Sequence, residues 1–253
     1  MDFSLNEEQL MVQQAARDFA QNELLPGVIE RDENGIFPAE QIKKMGELGF
    51  MGMMVDPKYG GSGLDTISYV LAMEEISKVD ASASVVMSVN NSLVCWGLQE
   101  FGTEEQKQQW LPLLASGQIH GAFCLSEPEA GSDATSQKTT AIDMGDHYLV
   151  NGTKNWITNG NTASVYIVIA QTDVAKQTKG INALIMTKDM PGFNIGPKEH
   201  KMGIRGSDTH SLQFNDVKVP KANRIGEEGF GFKFAMKTLA GGRIGIASQA
   251  LGI

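Results

Sequence analysis

The sequence is poor in cysteine and histidine, which limits the chemistry that it can carry. Only two cysteines, Cys95 and Cys124, occur in 253 residues, too few for a disulfide framework. The four histidines lie far apart, and none has a cysteine or a second histidine at metal-ligand spacing. We therefore expect no metal site built from neighbouring residues.

Long apolar runs are also missing. No run reaches the roughly 18 residues that a membrane span requires, and the N-terminal MDFSLNEEQL is acidic and polar, unlike a signal peptide. We expect no membrane span and a location in a bacterial cytoplasm. The alternative is a mitochondrial matrix after removal of a transit peptide.

Basic residues are outnumbered, with 21 Lys and Arg against 30 Asp and Glu, for a net charge of −9. Such a chain is unlikely to present a surface that neutralises phosphates, which argues against nucleic-acid binding. The apolar fraction of 42% is enough for a full core in one large or two smaller domains.

The apolar spacing divides the chain into three parts. Residues 1–118 have helical spacing and include a nearly uncharged stretch, 82–100, that predicts a buried helix. Residues 119–226 contain β-rich runs separated by pairs such as Asn151-Gly152 and Asn159-Gly160. Residues 227–253 are helical again. This order predicts an α+β fold in which a helical domain precedes a mostly antiparallel, barrel-like or sandwich β domain.

The final helix has apolar residues on more than one face and no charged last turn. A helix of this kind needs partners, so we interpret 227–253 as the start of a C-terminal helical bundle that the sequence does not include. The alternative is an ordinary helix end with Gly252 as its cap.

The first motif is the stretch from Gly121 to Asp133, which passes from a strand into a small, polar, glycine-containing loop. Free backbone N–H groups in such a loop can hold phosphate oxygens without a lysine. An ordinary Ser-Glu-Pro turn is the alternative. The sequence has no Rossmann fingerprint, no Walker A loop and no G-x-S-x-G.

The second motif runs from Asn151 to Gly160. Trp156 and Thr158 are two residues apart in a predicted strand and so share a face. An aromatic plane beside a hydroxyl suits a flat ring that carries hydrogen-bonding nitrogens. A core tryptophan is the alternative for Trp156 alone.

Together with Phe101–Lys107, Lys201–Arg205 and Gly242–Gly245, these motifs resemble the acyl-CoA dehydrogenase family over the whole chain. The run from Gly241 to Gly252 is most similar to the short-chain, butyryl-CoA branch. The resemblance implies FAD as cofactor and oxidation of an acyl-CoA to the trans-2-enoyl-CoA, in fatty acid metabolism. It also implies electron transfer to an electron-transferring flavoprotein and a homotetramer as the full-length protein.

The resemblance also assigns candidate binding residues by position. The residues expected at FAD are Phe123, Leu125, Ser126, Gly131, Ser132, Trp156, Ile157 and Thr158. Ser132 and Arg243 are expected at the acyl-CoA. The residue three before Arg243 is usually aspartate in the family but is Ala240 here, which weakens the assignment of Arg243.

No catalytic residue is assigned. In most of the family the base is a glutamate in the C-terminal bundle, which would lie beyond residue 253, and a minority branch places it at the position of Gly242. Glycine cannot act as a base, so we expect residues 1–253 alone to be inactive. Two alternatives remain open. One is a flavin oxidase or monooxygenase of the same fold, and the other is a truncated flavin-fold module without catalysis. The preferred acyl length is not determined by the sequence.

Overall fold

A computed structural model describes residues 3–253, which contain eight α-helices and eight β-strands. The helices are α1 Glu7–Phe19, α2 Val28–Glu33, α3 Ala39–Glu47, α4 Thr66–Ser77, α5 Ala81–Ser88, α6 Trp96–Phe101, α7 Glu104–Ala115 and α8 Gly231–Gly252. The strands are β1 Gly121–Cys124, β2 Thr140–Asp143, β3 His147–Thr158, β4 Val165–Gln171, β5 Ile181–Met186, β6 Phe193–Lys198, β7 Thr209–Pro220 and β8 Arg224–Ile225. The helix–sheet–helix order predicted from the sequence is confirmed.

The buried helix predicted at 82–100 is present as a continuous helical segment in which α5 and α6 are joined by a π-helical turn, Val89–Cys95. Asn90 and Asn91 of this turn are buried, and their side-chain amides form hydrogen bonds. The Nδ2 of Asn90 donates to the carbonyls of Met51 and Leu114, and its Oδ1 accepts from the amide of Gly121. The π-helical turn thereby fastens the helices to the first strand of the sheet.

The strands form one sheet in the order β6-β7-β3-β2-β4-β5-β8, with β1 paired to β4. Most pairings are antiparallel, as predicted, while β1–β4 and β2–β4 are parallel. Alternate residues of β1 to β7 pack against one another in a core made almost entirely of strand residues. A sheet whose own strands fill a core must curl on itself, which agrees with the barrel-like expectation.

The outer face of the sheet packs against helices. Side chains of β4 and β5, including Ile167 and Ile185, share a core with Leu98 of α6, Leu111 of α7 and Phe234 of α8. A separate core lies within the helices and includes Phe19, Met45 and Tyr69. Strands β4 and β5 are thus held between the inner core of the sheet and a helical layer.

One expected boundary is wrong. Asn151-Gly152 does not separate two strands, because β3 runs without interruption from His147 to Thr158. Gly152 has a φ of +144°, and a Cβ there would lie 2.6 Å from the Cα of Thr139. The glycine therefore serves a bulge and a close backbone approach inside the strand.

Helix α8 begins at Gly231, close to the expected position, and Gly252 lies inside it rather than beyond its end. Several of its apolar side chains are exposed, namely Ile244, Ile246 and Leu251. Within residues 3–253, no helix is both long and apolar enough to cross a membrane.

Candidate functional site

The predicted phosphate loop leaves β1 at Cys124 and returns to the sheet at Thr140. A small bridge closes its first part, in which the amide of Glu127 donates to the carbonyl of Ala130 at 3.0 Å and the amide of Ala130 donates back at 3.2 Å. The bridge places Gly131 and Ser132 just beyond it, and both are exposed. The tip of the loop is open to a ligand.

Neither the backbone conformation nor a close contact within the protein requires a glycine at position 131. Its φ is not in the left-handed region, and a Cβ built on it meets no atom within 4 Å. The space that a side chain would fill beside its backbone is empty. A glycine of this kind is suited to the close approach of a ligand.

The base of the loop is held by a buried ion pair that the sequence reasoning did not identify. The Nζ of Lys154 in β3 donates to Oε1 of Glu127 at 2.7 Å, and both side chains are almost completely buried. Burial opposes ionisation of Glu127, but the Lys154 ammonium and the backbone hydrogen bonds outweigh it, so the pKa of Glu127 is lowered. Burial lowers the pKa of the Lys154 ammonium, and the Glu127 carboxylate opposes that shift.

A bulge in β3 lies directly after Lys154. The pairing with β7 shifts between Lys154 and Ile157, and Trp156 has a φ of +60°, which is uncommon for a bulky side chain. The indole is 63% exposed. The core-tryptophan alternative is therefore wrong, and the backbone holds a large aromatic plane open at the surface of the sheet.

The bulge and the loop are in direct contact. The amide of Asn155 donates to the carbonyl of Ser126 at 2.8 Å, so the two sequence motifs are neighbours in space. The hydroxyls of Ser126, Ser132 and Thr158 form no hydrogen bond with other residues of the described range, 3–253. These three hydroxyls are available to a ligand.

Other expected FAD residues lie at the edge of this region. The side chain of Ile157 is 2% exposed and belongs to the inner core of the sheet, so only its backbone can meet a cofactor. The carbonyl of Leu125 is occupied by the Lys154 ammonium at 3.0 Å. The ring of Phe123 is partly buried against the outer core.

Two carboxylates near the loop are already engaged. Glu127 is held by Lys154, and Asp133 accepts hydrogen bonds from Thr135 and Ser136. Bonds from the hydroxyls of Ser136 and Thr135 lower the pKa of Asp133, which makes it a weak proton acceptor. Neither group is suited to act as a catalytic base.

Arg243, the other expected substrate residue, lies elsewhere. It lines an apolar pocket of about 300 Å³ between α8 and the end of α5 with the π-helical turn. The remaining lining residues are Ser88, Val89, Leu93, Leu239, Gly242 and Ile246. Among residues 3–253, no hydrogen bond joins Arg243 to Ser132, which lies in the loop between β1 and β2, so the structure does not link these two candidates directly.

The loop and the bulge fit a nucleotide cofactor that carries a flat ring. They offer an open glycine backbone, unpartnered hydroxyls and an exposed indole in adjacent positions. With a curled, mostly antiparallel sheet between helical segments, they define a helix–sheet–helix protein with a candidate cofactor site where the β1–β2 loop meets β3.

Two family models match the chain. The acyl-CoA dehydrogenase N-terminal domain matches residues 6–118, and the acyl-CoA dehydrogenase middle domain matches residues 122–217. The chain is 51% identical over its full length to the short-chain specific acyl-CoA dehydrogenase of Clostridium acetobutylicum, of which it covers 67%. The chain therefore belongs to the acyl-CoA dehydrogenase family.

Solved structures agree. The chain superposes on butyryl-CoA dehydrogenase from Megasphaera elsdenii with a TM-score of 0.97 and 48% identity, covering all of this chain and 67% of that one. A structure described as the electron transferring flavoprotein of Acidaminococcus fermentans gives a TM-score of 0.98 at 51% identity, covering 100% and 66%. The prolyl acyl carrier protein oxidase AnaB gives 0.95 at 33% identity, covering 98% and 66%.

The chain is shorter than these relatives. It spans 60% of the length of the human mitochondrial short-chain specific enzyme, to which it is 52% identical over 249 residues covering 98% of this chain.

Proposed function

We propose that this chain forms the cofactor-binding part, and one wall of the acyl-binding part, of an FAD-dependent short-chain acyl-CoA dehydrogenase. The proposed reaction converts an acyl-CoA to the trans-2-enoyl-CoA and passes electrons to an electron-transferring flavoprotein. The family membership and the similarity to short-chain enzymes support it. The homotetramer and the domain boundaries near residues 118 and 226 remain predictions.

The observation that carries the proposal is the apolar pocket beside Gly242. The family resemblance places the base of a minority branch at that position, so the reacting carbons of the substrate would lie next to it. The pocket there is lined mainly by Val89, Leu93, Leu239 and Ile246, which suits an alkyl chain. Its volume of about 300 Å³ is at the lower end of the range for ligand pockets, which favours a short chain.

The FAD would be held by the loop and the bulge. Gly131 and Ser132 would meet the pyrophosphate through backbone N–H groups and a hydroxyl, and Trp156 with Thr158 would border the ring. When bound, FAD accepts the hydride that leaves the substrate. The protein groups would bind and orient it, and the exposed indole of Trp156 would shield it from water.

Removal of the α proton requires a positioned carboxylate. Glu127 and Asp133 are both engaged in hydrogen bonds, so we propose, as the resemblance implies, that the base is a glutamate beyond residue 253. Arg243 would stand near the CoA portion at the rim of the pocket.

The test uses two proteins, residues 1–253 and a version extended by the segment that the longer relatives carry. Each is loaded with FAD and mixed anaerobically with butyryl-CoA while the flavin absorbance is recorded. We expect the extended protein to bleach and residues 1–253 to stay yellow. An extended protein that binds FAD and stays yellow with butyryl-CoA contradicts the proposed reaction.

An oxidase of the same fold is the second candidate, because AnaB shares the architecture at 33% identity. Admission of air after bleaching separates the two. A dehydrogenase with bound product should reoxidise slowly, whereas fast reoxidation with each turnover would support an oxidase.

A further inference from the structure

We propose that Lys154 and Glu127 form a positioning pair that sets the shape of the loop Leu125–Thr139 against the Trp156 bulge and thereby controls FAD affinity. The inference rests on the proposed function, since FAD is the ligand whose binding the pair would govern. Nothing in the chemistry of the reaction itself requires these two residues.

The ammonium of Lys154 uses all of its donors. Its Nζ donates to Oε1 of Glu127 at 2.7 Å, to the carbonyl of Leu125 at 3.0 Å and to Oε1 of Gln137 at 3.3 Å. An ammonium has three N–H groups, so none is left over. A single side chain therefore connects the first residue of the loop with two residues inside it.

The carboxylate of Glu127 is equally occupied. Besides Lys154, it accepts from the amide of Lys138 at 2.6 Å and from the amide of Thr139 at 3.1 Å. Those amides belong to the last residues before β2 begins. The two charges thus tie the start of the loop, its end and the strand that carries the bulge.

Beyond the ion pair, the amide of Asn155 donates to the carbonyl of Ser126 and the amide of Gln171 to that of Thr139, which joins the two ends of the loop to the sheet. The tip has local hydrogen bonds, in the Glu127–Ala130 bridge and the turn around Asp133, and Gly131 and Ser132 are exposed. Lys154 stands two residues before Trp156, at the edge of the register shift. Displacement of the pair would therefore move the proposed pyrophosphate contacts and the ring contacts relative to each other.

A buried ion pair is not an efficient source of stability, because desolvation of both charges offsets much of their attraction. Here the pair also satisfies two backbone amides and one carbonyl, which an apolar replacement would leave without these partners. The arrangement of the pair suits a role in holding the loop backbone in one conformation.

The experiment compares Glu127→Gln with Glu129→Gln, a substitution of the same chemistry at an exposed position of the same loop. Circular dichroism establishes folding, and FAD titration by flavin fluorescence gives the dissociation constant of the folded apoprotein. Limited proteolysis reports the mobility of residues 128–136. We expect Glu127→Gln to raise the FAD dissociation constant about tenfold or more and to expose the loop to cleavage. Glu129→Gln should match the wild type in both.

A folded Glu127→Gln variant with wild-type FAD affinity and cleavage pattern would overturn the proposal and leave the pair a structural one. If Glu127→Gln does not fold, two other variants replace it. The double variant Glu127→Gln with Lys154→Met removes both charges, and Gln137→Ala removes a single acceptor of Lys154. We expect the same rise in the FAD dissociation constant and the same exposure of the loop to cleavage for each. A wild-type protein that does not bind FAD contradicts the proposed function instead, while the proteolysis comparison in the apoprotein still tests the pair.

Discussion

The rings of Phe123 and Phe234 stack with their centroids 6.3 Å apart and their planes 27° from parallel. The first ring belongs to β1, which leads into the candidate FAD loop, and the second belongs to α8, which carries the apolar pocket. Phe234 is completely buried, and a Cβ on Gly97 of α6 would come within 2.8 Å of its ring. This aromatic contact lies within the hydrophobic cluster that joins the two parts of the candidate site.

Replacement of Phe234 by alanine should therefore be strongly destabilising. We expect a loss of about 3–5 kcal/mol in the free energy of unfolding, because the substitution removes a buried ring and leaves a cavity. Urea unfolding followed by circular dichroism measures it. Ile244→Ala, an exposed position of the same helix, should change the value by no more than about 0.5 kcal/mol. A small loss for Phe234→Ala would show that the helix and the sheet are held together elsewhere.

The sequence predicted the order of elements because apolar spacing depends on which side of an element is buried. The buried helix and the strands β4 and β5 were apparent for this reason. The continuity of β3 through Gly152 was not, because an Asn-Gly pair is typical of turns and the approach of Thr139 is a tertiary contact. Local pattern cannot separate a glycine that ends a strand from one that accommodates a neighbouring backbone.

The candidate site was predictable in part. The motif residues Ser126 and Trp156 are neighbours through the Asn155 amide, as their shared assignment to one cofactor requires. The pairing of Lys154 with Glu127 joins residues 27 positions apart and has no local periodicity. The one signal for it was a lysine inside a predicted strand, since a lysine that becomes buried requires a partner that the sequence does not identify.

Trp156→Ala should weaken FAD binding without loss of stability. The indole is 63% exposed, so its removal takes little buried surface from the core. Loss of a stacked ring contact costs about 0.5–1.5 kcal/mol of binding beyond the loss of buried area. Flavin fluorescence titration measures the affinity. Met144→Ala, an exposed apolar residue of the β2–β3 connection, is the control and should leave FAD affinity unchanged. Equal affinities for the two variants would remove Trp156 from the site.

Gly131→Val should also weaken FAD binding while the fold is retained. A Cβ there meets no protein atom within 4 Å, so we expect the added side chain to obstruct a ligand rather than the fold. Gly203→Val is a matched control, because Gly203 also has open space around it and no left-handed φ but lies in the β6–β7 connection. FAD titration and thermal unfolding of both variants provide the comparison. Normal FAD affinity in Gly131→Val would make the loop an ordinary turn.

His120 should make stability depend on pH. Burial lowers the pKa of its imidazole from 6.5 to about 4, so the unfolded chain binds its proton at a higher pH than the folded chain. The contribution is complete above pH 6.5 and is lost as the pH falls from about 6.5 to about 4, by at most about 3 kcal/mol.

The measurement is the difference in unfolding free energy between wild type and His120→Leu at pH 7 and pH 5. We expect the wild type to lose more stability than the variant over this interval, and His200→Leu, at an exposed histidine, to follow the wild type. If wild type and His120→Leu lose the same unfolding free energy between pH 7 and pH 5, burial does not keep the His120 imidazole neutral in the folded protein.

The apolar pocket should determine how well short acyl chains are accepted. A Cβ on Gly242 would lie 2.7 Å from Cδ2 of Leu93, whereas a Cβ on Gly241 has its nearest neighbour, the carbonyl oxygen of Ser92, at 3.9 Å. Gly242→Ala therefore pushes the Leu93 side chain aside and changes the pocket, and Gly241→Ala does not.

In the extended protein we expect Gly242→Ala to lower kcat/KM for butyryl-CoA on the order of tenfold, the effect of one methylene-sized change in an apolar pocket, and to lower it further for hexanoyl-CoA. FAD affinity should be unchanged in both variants, because neither glycine lies at the loop or the bulge. An unchanged kcat/KM for both substrates in Gly242→Ala would mean that the acyl chain binds elsewhere, and the assignment of this pocket to the acyl chain would be abandoned.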